Sequence, residues 1–173
     1  MVYWLGLAAA GLLYSAHSHS ASERANFEVK AQCTLQGKVT GTFSFVQKRY
    51  TSNTEISGTV QGLTPNQKHG LQIHEGPDVA TPGLIYDPFA RKHGGPWSVE
   101  RKVGDLGNLK ANEKGEVEFT MSEPYVKLSG PFSVVGRVLA VHEKPDDEGY
   151  GRNDESLRTG NVGAVLSAGI ISS

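Results

Sequence analysis

The stretch Val39–Lys48, VTGTFSFVQK, places apolar side chains at every second position. Phe43 and Phe45 share one face with a valine and a glycine, while threonine and serine hydroxyls occupy the other. A period of two residues is typical of a β-strand with one buried face. The segment Glu116–Met121, EVEFTM, repeats the pattern directly after Asn112–Gly115, whose glycine suits a hairpin turn. These two segments predict antiparallel β-structure.

Six further segments have the length and composition of strands: Phe27–Leu35, Thr54–Gln61, Gly70–Glu75, Lys102–Ala111, Ser133–His142 and Gly163–Ser172. After the first 20 residues, no stretch shows the 3.6-residue period that would predict an amphipathic helix. Eight short strands separated by turn signals are typical of an antiparallel sandwich or barrel. We therefore predict an all-β fold.

The composition fits one globular domain and excludes some classes of protein. The 173 residues carry 17 Lys and Arg against 18 Asp and Glu, and the basic residues do not cluster. A nucleic-acid-binding role is therefore not expected. Cys33 is the only cysteine, so an intrachain disulfide cannot form. Two alternatives stay open for Cys33: a buried, inert thiol, or an exposed thiol that pairs between chains.

The first 20 residues differ from the rest of the chain. Val2–Tyr14 is an apolar run that is too short to span a bilayer but suits the core of a signal peptide. Small residues follow it, and cleavage after Ser18 or Ser20 fits that pattern. We predict a signal peptide at 1–20, a domain at 21–173, secretion and no membrane span. The alternative is a buried N-terminal helix or a signal anchor.

The leader also contains two histidines, His17 and His19. If cleavage followed Ala16, the new N-terminus would combine a free amine with a histidine at its third position. Such nitrogen donors lie in a plane, which favours Cu(II). The alternative is an unstructured polar leader.

Two long segments interrupt the strands. Gly76–Val103 is rich in proline and contains ARKHGGPW, and Glu143–Gly160 is heavily charged. Loops of this length in a compact domain are usually functional. Each loop directly follows a strand that ends near a histidine, His74 in one case and His142 in the other. We expect the two loops to converge on one site.

The residues around these loops resemble the copper/zinc superoxide dismutase family. The resemblance rests on HGLQIHE (69–75), DPFARKHGGP (87–96), ERKVGDLGNLKA (100–111), LSGPFSVVGRVLAVHEKPDD (128–147) and TGNVGAVLSAGII (159–171). It implies an eight-stranded Greek-key sandwich or barrel of immunoglobulin-like architecture with two long loops, in agreement with the strand count. It also implies a homodimer, whose interface residues the sequence does not identify.

The resemblance implies a copper site that this chain keeps only in part. In the family, copper is bound by two histidines one residue apart on a strand, by a bridging histidine and by the histidine of V-H-E-K. Here Gln72 occupies the first position, His74 the second and Ile85 the bridging position, while His142 is retained. Half of the implied copper ligands are therefore missing.

The implied zinc site is also incomplete. The family binds zinc through the bridging histidine, the histidine of K-H-G-G, a third histidine and the aspartate of V-G-D. His93 and Asp105 match two of these ligands, whereas Ile85 and Lys102 replace the other two. We expect the ammonium of Lys102 to pair with Asp105 in place of zinc and Ile85 to fill the volume of the bridging imidazole.

Two further positions bear on the site. Asp146 matches the family residue that links the two metal sites. We expect it either to hold His93 against the charged loop or to lie exposed in an acidic run. Val165 stands where the family has an arginine that lines the substrate channel, so a cation that would attract superoxide is lost.

These changes predict a secreted superoxide dismutase-like protein without dismutase activity, acting as a binding or structural module for a partner the sequence does not identify. We assign no catalytic residue and expect no stoichiometric metal. The alternative is an extracellular dismutase or metal-binding protein with a single copper or zinc ion held by His74 and His142, with His69 or His93. His69 matches a structural histidine of the family. The Trp97 side chain is either an exposed contact for a partner or packs its shortened loop onto the barrel.

Overall fold

The computed structural model describes residues 28–48 and 53–173. The predicted signal peptide, the leader histidines and the predicted first residue of the first strand lie outside the described residues.

Within those residues the chain forms eight strands and one short helix. The strands are β1 Glu28–Gly37, β2 Thr40–Lys48, β3 Thr54–Gln61, β4 Lys68–His74, β5 Asp105–Lys110, β6 Val117–Glu123, β7 Val138–His142 and β8 Val165–Ile170; the helix is α1 Asp154–Thr159. The predicted number and order of strands are confirmed. Three predicted segments were too long: β5 starts at Asp105, β7 at Val138 and β8 at Val165.

All neighbouring strands are antiparallel, in the order β5-β4-β7-β8-β1-β2-β3-β6, and form a nearly closed barrel. The edge strands β5 and β6 are joined by the predicted turn, in which Gly115 has a φ of 75° and Asn112 N–H donates to the Glu116 carbonyl over 2.9 Å. The predicted all-β antiparallel fold is confirmed.

The core lies inside the barrel, as the period-2 pattern predicts. Phe43 and Phe45 of β2 are buried there together with residues of the two flanking strands, β1 and β3. Cys33 of β1 is buried opposite Phe43. Burial raises the pKa of the Cys33 thiol to about 12. Of the two alternatives for Cys33, the exposed thiol is therefore wrong.

Among the described residues, the helix α1 is the element that the sequence did not predict. Asn153 caps its first turn, because its side-chain oxygen accepts a hydrogen bond from Ser156 N–H over 2.8 Å. Gly160 ends the helix in the left-handed conformation with a φ of 75°. Six residues are too few to show a helical period, but these two cap signals were present in the sequence.

No helix within 28–48 and 53–173 has the length and apolar character needed to cross a membrane.

Candidate metal centre

The centre lies on the outer face of two neighbouring strands. Strands β4 and β7 pair so that Gln72 lies opposite Ala140 and His74 opposite Val138. Because side chains alternate along a strand, Leu71 and Ile73 point into the barrel, and Gln72 and His74 point to the other face. The two long loops cover this face, which is why Gln72 and His74 are buried although they point out of the barrel. The expectation that the loops converge here is confirmed.

His74 and His142 meet through their Nε2 atoms, which are 3.1 Å apart. His74 Nδ1 lies 3.0 Å from the Gly83 carbonyl, and His142 Nδ1 lies 3.3 Å from the Gly163 carbonyl. A carbonyl oxygen can only accept, so each Nδ1 carries a hydrogen and donates it. A neutral imidazole in this tautomer presents a lone pair at Nε2. Two lone pairs therefore face each other.

Protonation does not relieve this contact at neutral pH. Burial lowers the pKa of His74. Burial, followed by the charge that His74 would carry, lowers the pKa of His142 to about 4. Both imidazoles are therefore neutral at pH 7, and the position between their Nε2 atoms favours a cation.

Gln72 contributes a third acceptor to the same region. Its Nε2 donates to Asp146 Oδ2 over 3.1 Å and to the Thr159 carbonyl over 2.9 Å. Both partners can only accept, which fixes the orientation of the amide. The other amide atom, Oε1, is buried and has no hydrogen-bond partner within the described part of the chain. A buried polar atom without a partner is costly and calls for a ligand or a water.

These three side chains line one open cavity of about 460 Å³. Lys144 and Glu155 lie at its wall, so the formal charges of these two residues cancel. Val165, at the position where the resemblance implies a channel arginine, also lines the cavity and is 38% exposed. The charged side chains that line the cavity, Lys144 and Glu155, thus add no net positive charge that would attract an anion.

Ile85 closes the site on the side where the resemblance implies a bridging imidazole. It lies opposite His74 in an isolated β-bridge and is only 4% exposed. Gly104 lies against it: a Cβ on Gly104 would come within 2.8 Å of Ile85 Cγ2. Ile85 therefore provides apolar packing and no donor atom for a metal.

His93 lies in a separate, fully buried group of charges. Its Nδ1 is 2.8 Å from Asp105 Oδ1, and its Nε2 is 2.7 Å from Asp146 Oδ1. Burial alone would lower the pKa of His93, but the hydrogen bonds to Asp105 and Asp146, together with their charges, outweigh it and raise the pKa to about 9. At neutral pH His93 is an imidazolium held between two carboxylates.

The predicted ion pair between Lys102 and Asp105 is wrong. The ammonium of Lys102 instead donates to the Arg158 carbonyl, in the last turn of α1, over 2.9 Å. The second oxygen of Asp105 accepts backbone hydrogen bonds from Gly94 N–H over 3.0 Å and Lys102 N–H over 2.8 Å. The cation that pairs with Asp105 is therefore the imidazolium of His93 and not the predicted ammonium of Lys102.

Zinc does not fit this group of residues. Structural zinc needs four donors, and of the implied family ligands only His93 and Asp105 remain. Both nitrogens of His93 and both oxygens of Asp105 are already hydrogen-bonded within the chain. His93, Asp146 and Asp147 bring three ligand-type atoms within 4.8 Å of one another, but Asp147 already accepts hydrogen bonds from the side chains of Ser156 and Asn161.

Asp146 joins the two halves of the centre. Its side chain is buried, with one oxygen bound to Gln72 and the other to His93. The side chain of Asn108 holds its backbone on both sides, accepting from Asp146 N–H over 2.8 Å and donating to the Asp146 carbonyl over 2.9 Å. The alternative of a solvent-exposed Asp146 is therefore wrong.

Gly160 allows the loop to pass over this group. A Cβ at position 160 would collide with Asp146 Oδ1 and would lie 2.5 Å from His93 Nε2. The residue that ends α1 is thus also the residue that packs directly on the buried His93–Asp146 pair.

Two other candidate residues lie away from the cavity. The Nδ1 of His69 donates to the His142 carbonyl over 2.9 Å, so His69 supports the backbone of β7 and does not line the cavity. Trp97 is 94% exposed. The alternative in which Trp97 packs its loop onto the barrel is wrong.

Comparison with known proteins identifies the family of this chain. The family model of copper/zinc superoxide dismutase matches residues 39–171. A protein named superoxide dismutase [Cu-Zn] from Paramecium bursaria Chlorella virus 1 is 40% identical over 148 residues, covering 83% of this chain and 78% of the relative. Proteins of the same name from Cryptococcus neoformans var. grubii and Cordyceps militaris are 40% and 41% identical over 149 residues, each covering 83% of this chain and 97% of the relative. The chain belongs to the copper/zinc superoxide dismutase family.

Proposed function

We propose that this chain is a secreted member of the family that does not dismutate superoxide and acts as an extracellular binding or structural module. The observation that carries the proposal is the buried hydrocarbon of Ile85 beside His74, at the position where the resemblance implies a bridging imidazole. A shared fold does not by itself transfer an activity, because activity depends on the donor atoms of the site.

The donor set argues against dismutation. Bound copper would supply the one-electron chemistry of the family, and four imidazoles suit Cu(II). Here His74 and His142 supply two imidazole nitrogens and Gln72 can supply only a neutral amide oxygen. The cavity wall adds one lysine and one glutamate, which do not concentrate an anion.

The contacts around α1 support a module that folds without zinc. The segment 143–160 is held to the barrel by the His93–Asp146 contact and by the Lys102 hydrogen bond to Arg158. Within the loop, Asp147 accepts hydrogen bonds from the side chains of Ser156 and Asn161. These bonds order the loop that zinc would otherwise order.

The experiment that tests this proposal is a superoxide assay on the purified protein after loading with copper and zinc. The Cryptococcus relative, loaded in the same way, is the positive control. We expect no activity above that of free copper at equal concentration. Dismutation by the loaded chain at a rate comparable to the relative would overturn the proposal.

A matched variant tests whether the donor atoms are responsible. The triple substitution Q72H/I85H/K102H restores the imidazoles that the resemblance implies. Activity in this variant but not in the wild-type chain is the expected result. Sequencing the N-terminus of protein recovered from culture medium tests secretion, with a start at residue 19 or 21 expected and retention in cells with Met1 intact as the contrary result.

A second candidate function, a protein that binds one copper or zinc ion without dismutating superoxide, is favoured by the facing Nε2 atoms of His74 and His142.

A further inference from the structure

Three side chains that line one cavity each carry an acceptor atom without a protein donor among the described residues. His74 Nε2 and His142 Nε2 lie 3.1 Å from each other, and Gln72 Oε1 has no hydrogen-bond partner among the described residues. The two imidazole nitrogens and the amide oxygen, as three acceptors in one cavity, fit a ligand that brings positive charge. Two imidazole nitrogens and one amide oxygen are donors for a copper or zinc ion and not for the hard, oxygen-preferring magnesium or calcium ions.

The distance between the two nitrogens indicates the geometry of such a site. With metal–nitrogen bonds of about 2.0–2.1 Å, a 3.1 Å separation corresponds to an angle of about 100° at the metal. A linear two-coordinate ion would need the nitrogens about 4 Å apart, again from these bond lengths. The pair therefore suits two adjacent positions of a four-coordinate ion and leaves room for further donors.

The orientation of Gln72 is set before any ion binds. Both hydrogens of its amide nitrogen are used, one by Asp146 Oδ2 and one by the Thr159 carbonyl. Turning the amide over would place its oxygen against the carboxylate of Asp146 and against a carbonyl, with no hydrogen between them. Asp146 is itself fixed by His93 and by Asn108. The Oε1 atom is thus a preorganised donor, which reduces the cost of binding.

We propose that Gln72 Oε1 acts with His74 Nε2 and His142 Nε2 to bind one divalent copper or zinc ion, with a fourth position open to the cavity. Copper binds more tightly than zinc, following the order of affinities for nitrogen-rich sites. Ile85 prevents a second ion from sharing a ligand with the first. The inference rests on the second candidate function, the binding of one copper or zinc ion, and not on the absence of dismutation.

The test uses the full chain with the substitutions H17A/H19A, which remove the nitrogen donors of the leader. Cu(II) and, separately, Zn(II) are titrated calorimetrically, and electron paramagnetic resonance of the Cu(II) form counts the bound nitrogens. We expect one ion per chain and a spectrum with two imidazole nitrogens. H74A and H142A should each abolish this binding.

Gln72 is tested by substitution and by a direct signal. Q72L should weaken Cu(II) binding at least about tenfold, and Q72H should strengthen it and add a third nitrogen to the spectrum. The control Q47L changes another buried glutamine, which accepts from Leu128 N–H away from the cavity, and should leave the affinity unchanged. In the chain with Gln72 intact, Zn(II) should shift the side-chain carbonyl 13C resonance of Gln72, a readout that does not depend on the folding of a variant.

Two results overturn the inference: an unchanged affinity in Q72L together with an unshifted carbonyl resonance, or copper binding that survives H74A and H142A. Neither result touches the proposed function, which the superoxide assay decides. Conversely, dismutation by the copper-loaded chain would overturn the proposed function and leave the assignment of Gln72 standing.

Discussion

His93 and Asp146 are 53 positions apart in the chain and meet with a separation of 2.7 Å in a place shielded from solvent. Asp105 holds the opposite nitrogen of the same ring at 2.8 Å. The positive charge between the two carboxylates is a proton on an imidazole. The stability of the loop contacts should therefore depend on pH. In a zinc-bound site, that stability would depend on the metal instead.

Replacing His93 by glutamine should reveal this dependence. Burial opposes protonation of His93, but the two carboxylates raise its pKa from 6.5 to about 9. A raised pKa stabilises the folded state fully below pH 6.5, and the contribution is lost as the pH rises through 9. The wild-type chain should exceed H93Q by about 2–3 kcal/mol at pH 6.

Urea denaturation between pH 6 and pH 10, with a chelator present, measures this difference. The gap between the two proteins should close as the pH passes 9. A gap that stays constant over the whole range would show that the imidazolium contributes nothing.

The buried ion pair between Arg101 and Glu123 should be essential for stability. The two side chains are 2% and 1% exposed and 2.6 Å apart, and the guanidinium also lies 4.5 Å from the centre of the Tyr125 ring. Removing one partner leaves a buried charge unpaired, so R101M should cost about 3–5 kcal/mol in urea denaturation. The double variant R101M/E123Q should lose less than R101M alone; an equal or larger loss would contradict this account.

Lys102 should matter little, in contrast to the expectation from the sequence. Its ammonium makes an exposed hydrogen bond to the Arg158 carbonyl. K102M should therefore change the free energy of unfolding by less than about 1 kcal/mol. D105N, which weakens a buried contact with His93, should cost clearly more. Equal losses in the two variants would restore the idea of a Lys102–Asp105 pair.

Cys33 should be unreactive in the folded protein. Burial raises the pKa of its thiol to about 12, and the thiolate is the form that attacks thiol reagents. Labelling at pH 8 should be slow in the native chain and fast in guanidinium chloride. Rapid labelling without denaturant would mean that the barrel opens locally around β1.

The strands could be predicted because the physical signal lies within each segment. Alternation in β2 places Phe43 and Phe45 in the core whatever the rest of the chain does. The helix α1 has only six residues and its one buried position is Ser156, so no apolar stripe marked it. Asn153 and Gly160 were the available cues.

The centre was predicted only in part because its contacts cross the fold. The resemblance directed attention to His74 and His142, and the structure brings them together. The partners of His93 and Lys102 depend on where 143–160 folds back onto the barrel. That path brings a carboxylate to the histidine and a carbonyl to the lysine. The resemblance, which puts Lys102 and Asp105 together at the implied zinc site, pointed to the wrong pair.

Position 160 shows how tightly two requirements can coincide at one residue. Asparagine tolerates the left-handed backbone and ends many helices, so helix geometry alone would admit it. Yet any side chain there would strike the histidine–carboxylate pair beneath. A library that varies this codon should return glycine alone among well-expressed clones. This should hold even when the last turn of α1 is redesigned so that the helix ends without a left-handed residue.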